Sequence, residues 1–265
     1  MSTVHEAAHR FDDSEAYERF MGAWSRAAMP LFLRWLSAPR DADWLDVGCG
    51  TGILAQSARE LGFARRVDGV DPAQAQVRYA ARTLAGPHVR FHVAQAEALP
   101  FADGRFDVVA SALAINFMAD RRKALAEMRR VVRAGGIVAG FVWDFARERS
   151  PSGPMRKALR AVGSPAPEVP GTRDSTIDAL RRSFSNAGLV DISTCAFEVA
   201  ASFASFEDFW LAQLPAYSPT TKLVLDMSEP SRMRLKTMLR SCVPVGSDGS
   251  ISYSAGVHAV RGFAG

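Results

Sequence analysis

The sequence predicts an α/β protein: a doubly wound, mostly parallel sheet of seven strands, with a helical segment at the N-terminal end and a helical cap inserted before the last strand. Three observations carry this reading. Short apolar runs alternate with helix-length amphipathic segments from Trp44 to Trp143, the pattern of successive βαβ units. The run Trp44-Leu45-Asp46-Val47 breaks into Gly48-Cys49-Gly50-Thr51-Gly52 and then into the helix-compatible Ile53-Leu54-Ala55, so a buried strand, a tight turn and a helix start follow one another directly. The stretch between the last two strands, roughly 201–249, is too long for a hairpin loop and carries Phe206, Phe209, Trp210, Leu211 and Leu214 at helical spacing.

Taken in order, residues 1–13 are polar. Residues 14–36 read as helix, with Tyr17, Phe20, Met21 and Trp24 three and four apart, and a second piece begins after Pro30. Residues 53–62 form the first crossover helix, ended by Gly62. Strand two, Arg66–Asp71, runs into Pro72 at a position suited to helix N1, and 73–85 continue as helix to Gly86-Pro87. His88–Val93 is strand three. Phe106–Ser111 is strand four, apolar on both faces as a central parallel strand requires. Arg121–Arg133 is a helix, and Gly135-Gly136 turns into strand five, Ile137–Trp143. Beyond Asp144 the pattern loosens. A helix is expected at 154–162 and another at 172–187, capped by Asp174 or Ser175. Leu189–Ala200 reads as a strand, Pro230–Leu239 as a helix, and Ser250–Phe263 as the last strand. The chain reads as one domain: a lid over 1–40, a ligand-binding core over 41–145, and a C-terminal half of the sheet over 146–265 that contains the cap.

Composition narrows the function. A chain of 265 residues with 48% hydrophobic content suits one α/β domain with an insertion. The net charge of +4 is small, and the arginine pairs fall mostly in helix-like segments, which reads as solvated helix faces and not as a nucleic-acid arm. Cys49, Cys195 and Cys242 have no metal-ligand spacing and an odd count, so reduced thiols and a cytoplasmic setting are expected, with no metal. The first residues carry no apolar signal core and no stretch is long enough to span a membrane. Oligomeric state is not legible.

The chemistry lies in the glycine turn. Glycine at alternate positions permits positive φ and lets the backbone approach a ligand closely. The helix behind it offers free N–H groups. A dinucleotide fingerprint places its third glycine three residues after the second, whereas here it comes two residues after, with Asp46 just ahead. A second short strand ends on Asp71, where a nucleotide-binding βαβ unit carries its ribose-binding acid.

The full Leu45-Asp46-Val47-Gly48-Cys49-Gly50-Thr51-Gly52 with Asp71 resembles the class I S-adenosylmethionine-dependent methyltransferases, in particular the type 11 group that includes the ubiquinone/menaquinone-biosynthesis enzymes. The resemblance is specific over 42–143. It implies a Rossmann-like fold, S-adenosylmethionine as cofactor, S-adenosylhomocysteine as product, and methyl transfer to a small organic molecule. It places Gly48, Gly50 and Gly52 against the methionine portion, Asp46 near the ammonium, Asp71 on the ribose hydroxyls and Gln76 beside the ribose. Adenine would lie between Pro72 and Gln95-Ala96. Gln95 stands where relatives usually carry an acid, and its amide oxygen can also accept from the adenine amino group. Ser111, with Ala112 and Leu113, should line the approach to the methyl group. Tyr17 and Trp24 are lid candidates over the cofactor. Trp24, Asn116 and Trp143 are candidate substrate contacts, although Asn116 reads first as a helix cap. His5, His9, Asp144 and His258 could each serve as a base, and none is assigned. Two alternatives stand beside catalysis: a non-catalytic S-adenosylmethionine-binding regulator, and an NAD-binding oxidoreductase, which the glycine spacing disfavours.

Overall fold

The computed structural model describes residues 18–215 and 218–265. A π-helical turn, Glu18–Gly22, leads into helix α1 (Ala23–Leu36). Then follow β1 (Ala42–Val47), α2 (Ile53–Glu60), β2 (Ala64–Asp71), α3 (Gln74–Leu84), β3 (Val89–Val93), β4 (Phe106–Ala112), α4 (Arg121–Val131) and β5 (Val132–Trp143). The C-terminal part comprises α5 (Gly153–Ala161), α6 (Ile177–Asn186), β6 (Leu189–Phe203), α7 (Phe206–Ala212), α8 (Pro219–Leu225), α9 (Glu229–Ser241) and β7 (Ile251–Ala264).

The described residues form one seven-stranded sheet in the order β3-β2-β1-β4-β5-β7-β6. Pairings among β1 to β5 are parallel, and β7 runs antiparallel to both β5 and β6. The chain order reverses direction between β1 and β4, the switch point where open α/β sheets bind ligands beyond their strands' carboxyl ends. Alternation along β1 fixes which face receives what. Trp44 packs with α1 and α2 on one face, Leu45 and Val47 with α4 and α6 on the other. Asp46, two residues from Trp44, therefore points to the α1/α2 face.

Several boundaries differ from the sequence reading. Helix α1 does not break at Pro30 but runs through it. Its buried stripe of Trp24, Ser25, Ala28, Met29, Phe32, Leu33 and Leu36 continues on both sides, and that packing offsets a proline cost of about 3 kcal/mol. The helix expected from Thr172 is a 3-10 turn, Thr172–Ser175, followed by α6, which Thr176 caps by accepting the Ala179 N–H at 3.2 Å. Ser175 is instead buried, donating to Thr172 O (2.7 Å) and accepting from the Ala146 N–H (3.1 Å). Helix α8, introduced by Ser218-Pro219, was not expected. Helices α5, α7, α8 and α9 share their own apolar cluster with Phe203 and Tyr253, so the insertion has a core of its own beside the sheet.

Candidate cofactor site

Three positive-φ glycines shape the turn after β1: Gly48 at 75°, Gly50 at 50° and Gly52 at 89°. The N–H groups of Gly48 and Cys49 both donate to Val70 O, at 2.8 and 2.9 Å, and Gly52 N–H closes onto Cys49 O at 2.8 Å. Asp71 completes the anchoring. Its Oδ2 accepts the Gly50 N–H (3.0 Å) and its Oδ1 the Ala73 N–H (2.8 Å). The acid expected to meet a ribose thus also holds the glycine turn to the end of β2. A narrow cleft opens here, lined by Ser25 and Met29 of α1, by Asp46, Gly48, Cys49, Gly50, Thr51, Ile53 and Leu54, and by Ala112 and Leu113 after β4.

Asp46 is the electrostatic centre of the cleft. Its strand neighbours across the sheet are Gly69 and Ala110, which bring no side-chain donor. It is 1% exposed, and neither carboxylate oxygen has a hydrogen-bond partner among the described residues. The Ala55 N–H is near enough to favour the ionised form, not to bond it. Burial, and secondarily the charge of Asp71, push the Asp46 pKa up to about 8. Burial also raises Asp71 above the ordinary carboxylate range, against the pull of its Ala73 and Gly50 N–H bonds. A buried, acceptor-rich group without a donor is the complement of a cationic ligand.

Residues 45–140 match the methyltransferase domain family. Over this segment the chain is similar to class I S-adenosylmethionine-dependent methyltransferases. A malonyl-(acyl-carrier protein) O-methyltransferase of Pseudescherichia vulneris is 39% identical over 114 residues, 43% of this chain and 44% of that protein. A demethylmenaquinone methyltransferase of Thermus thermophilus is 41% identical over 43% of this chain and 50% of its own length. The chain therefore spans about half the length of the curated relatives it matches. A solved structure of Haemonchus contortus phosphoethanolamine N-methyltransferase 2, in complex with phosphomonomethylethanolamine and S-adenosylhomocysteine, superposes with a TM-score of 0.57. That likeness holds at 15% identity over 94% of this chain and 56% of that one, and it is a likeness of fold.

The cofactor of the methyltransferase domain is S-adenosylmethionine, and the cleft fits its amino-acid end. The unpartnered Asp46 carboxylate suits the ammonium. Gly50 leaves a cradle in which an added Cβ would meet no protein atom within 4 Å. Gly48 differs, because a Cβ there would lie 2.3 Å from that of Ala114. The two alanine variants should accordingly separate. Gly48→Ala is expected to lose about 2–4 kcal/mol of stability through the clash and the positive φ. Gly50→Ala should lose about 1 kcal/mol, from φ alone, yet bind S-adenosylhomocysteine at least about tenfold more weakly because its methyl intrudes on the ligand side. Thermal melts and calorimetric titration of both variants check this.

The remaining expected positions fall into three groups. Asp71 and Pro72 end β2, and Ala94–Glu97 follow β3 alongside, joined by the Ala94 N–H to Asp71 O bond of 3.2 Å. There Gln95 and Pro72 are exposed and Ala96 is buried. Gln76 is buried one helical turn beyond Asp71, and Gly52 packs against Leu84 and Phe91 behind the turn. Ser111 is wholly buried in β4 with an unpartnered Oγ, so its successors Ala112 and Leu113 form the cleft wall in its place.

The expected substrate contacts do not line this cleft. Trp24 and Trp143 are 1% and 3% exposed and meet edge to face at 6.3 Å, with Trp24 also 5.0 Å from the Tyr253 ring. Both belong to the apolar core between the helices and the sheet, where Tyr253 of β7 packs on Trp24. Asn116 is neither a helix cap nor on the cleft. It lies buried in a 3-10 turn and donates from Nδ2 to Pro170 O at 3.1 Å, while Asp120 caps α4 through the Lys123 N–H. Tyr17, His5 and His9 lie outside the described residues. His258 and Asp144 form a buried pair away from the cleft. His258 Nδ1 donates to Ser175 O (2.7 Å), and its Nε2 sits 3.7 Å from Asp144 Oδ2.

Ser25 and Met29 were missed as wall residues, whereas Ala112 and Leu113 line the cleft as expected. Ser25 is legible in hindsight as the one hydroxyl on an otherwise apolar helical stripe. Leu113 carries a φ of 59°, a left-handed strain of about 1 kcal/mol that no residue pattern signals.

Proposed function

We propose that the chain transfers the methyl group of S-adenosylmethionine to a small organic acceptor. The observation that carries this is the buried, unpartnered Asp46 carboxylate on the wall of a glycine-built cleft at the sheet's switch point. On this reading Asp46 takes the ammonium, Gly48 and Gly50 cradle the methionine portion, and Asp71 accepts from the ribose beside Gln76. Pro72 and Gln95-Ala96 bracket the adenine, and Ala112-Leu113 face the methyl group. The bound sulfonium supplies an already activated methyl for in-line displacement. The protein's share is positioning and exclusion of water, by α1 as a lid and the insertion as a cap. Asp144 and His258 do not line the cleft, so no general base is assigned.

The named relatives act on a malonyl carrier and on demethylmenaquinone, two unlike acceptors, and their names bound a screen for this chain. The three unpaired cysteines support a cytoplasmic setting, and no helix among the described residues is long and apolar enough to cross a membrane. Calorimetric titration with S-adenosylhomocysteine and with NADH tests the cofactor half. Binding of the former alone is expected, and binding of NADH alone would end this reading. A screen of carboxylates, phenols, amines, quinols and malonyl thioesters, followed by S-adenosylhomocysteine release, tests catalysis. Tight cofactor binding with no turnover on any class would favour the regulator.

A further inference from the structure

Helix α1 delivers one polar side chain to the cleft. Ser25 stands in its first turn, 2% exposed, on a stripe whose other members are apolar. A helical serine ordinarily closes its hydroxyl on a carbonyl three or four residues back. Ser25 Oγ does not, and among the described residues it has no hydrogen-bond partner. A fully buried hydroxyl is normally bonded, so a lone one lining a ligand cleft marks where a ligand atom belongs.

Charge decides which atom. Asp46 lines the same cleft and, once ionised, can only accept, so it takes the cationic end of a zwitterion. The anionic end then needs donors. The cleft offers the Ser25 hydroxyl and the first turn of α2, where Ile53 and Leu54 also line it and a helix start leaves its N–H groups without partners inside the helix. We propose that Ser25 donates to the α-carboxylate of the cofactor's amino-acid moiety, which makes α1 a working wall of the cofactor site. The proposal rests on the cofactor reading given above. Ser25 is a positioning residue that reads the carboxylate and takes no part in the methyl transfer.

Ligand truncation tests it. S-adenosylhomocysteine, its decarboxylated analogue that keeps the amine, and 5′-methylthioadenosine, which lacks both groups, are titrated calorimetrically into the parent and Ser25→Ala. Ser25→Ala should weaken S-adenosylhomocysteine about tenfold, as expected for one hydrogen bond to a charged group, and leave the other two ligands unchanged. Ser25→Cys, nearly the same size but a poor donor, should follow alanine, and neither variant should melt below the parent. Equal weakening of all three ligands would mean a packing role and overturn the assignment, as would parental affinity for S-adenosylhomocysteine in both variants. A parent that binds none of the three overturns the cofactor reading and this proposal together.

Discussion

Ligand-free Asp46→Asn is expected to melt above the parent and to bind S-adenosylhomocysteine at least about tenfold more weakly. The two effects share one cause. The folded-state pKa of Asp46 is raised from 3.8 to about 8, so the unfolded chain ionises first as pH rises. The folded state is therefore penalised progressively from the ordinary carboxylate range up to about pH 8, and not at all in strong acid. At pH 7 the gap is roughly three units, which at 1.36 kcal/mol per unit is on the order of 4 kcal/mol. An asparagine never ionises but still buries an unpaired amide, so relief of about 1–3 kcal/mol is expected, or roughly 2–10 °C for a domain of this size. The same carboxylate gains a cationic partner when the cofactor's ammonium enters, so binding at pH 7 should release close to one proton, and affinity should rise from about pH 5 to pH 8. Titration in two buffers of different ionisation enthalpy reads that proton directly. An asparagine variant that melts lower, or binds with parental affinity and no change in proton release, would remove Asp46 from the site.

Asp71→Ala should lower affinity for S-adenosylhomocysteine by at least about a hundredfold while the melting temperature moves by only a few degrees. Both carboxylate oxygens hold backbone N–H groups, yet burial outweighs those bonds and leaves the Asp71 pKa raised. Global stability thus loses little when the carboxylate goes. The ligand loses two things at once: acceptors proposed for its ribose hydroxyls, worth about 1.5–3 kcal/mol each, and the tie that holds Gly50 in its cradle. The variant should also show less proton release at pH 7, because the Asp71 charge is part of what raises Asp46. Parental affinity in a folded Asp71→Ala protein would dismiss the ribose assignment.

What the sequence by itself determined is the part set by local backbone chemistry. Apolar runs of strand length, helical periodicity between them, and glycines where φ must be positive act within a few residues. They fixed the seven strands, their order along the chain, the turn at Gly48–Gly52, and the two acids at the carboxyl ends of β1 and β2. Only the tertiary structure decided which side chains face the ligand, because burial depends on elements far away in the chain. Trp24 and Trp143 have the composition of a binding wall, but they pack into the apolar core against each other and against Tyr253 of β7. Ser25 looks like a minor interruption of an apolar stripe until α1 packs across the end of β1 and sets it into the cleft beside Asp46. The raised pKa of Asp46 has the same origin. It follows from what surrounds the carboxylate in three dimensions, deep burial between small strand neighbours with no side-chain donor, and no pattern in β1 encodes that.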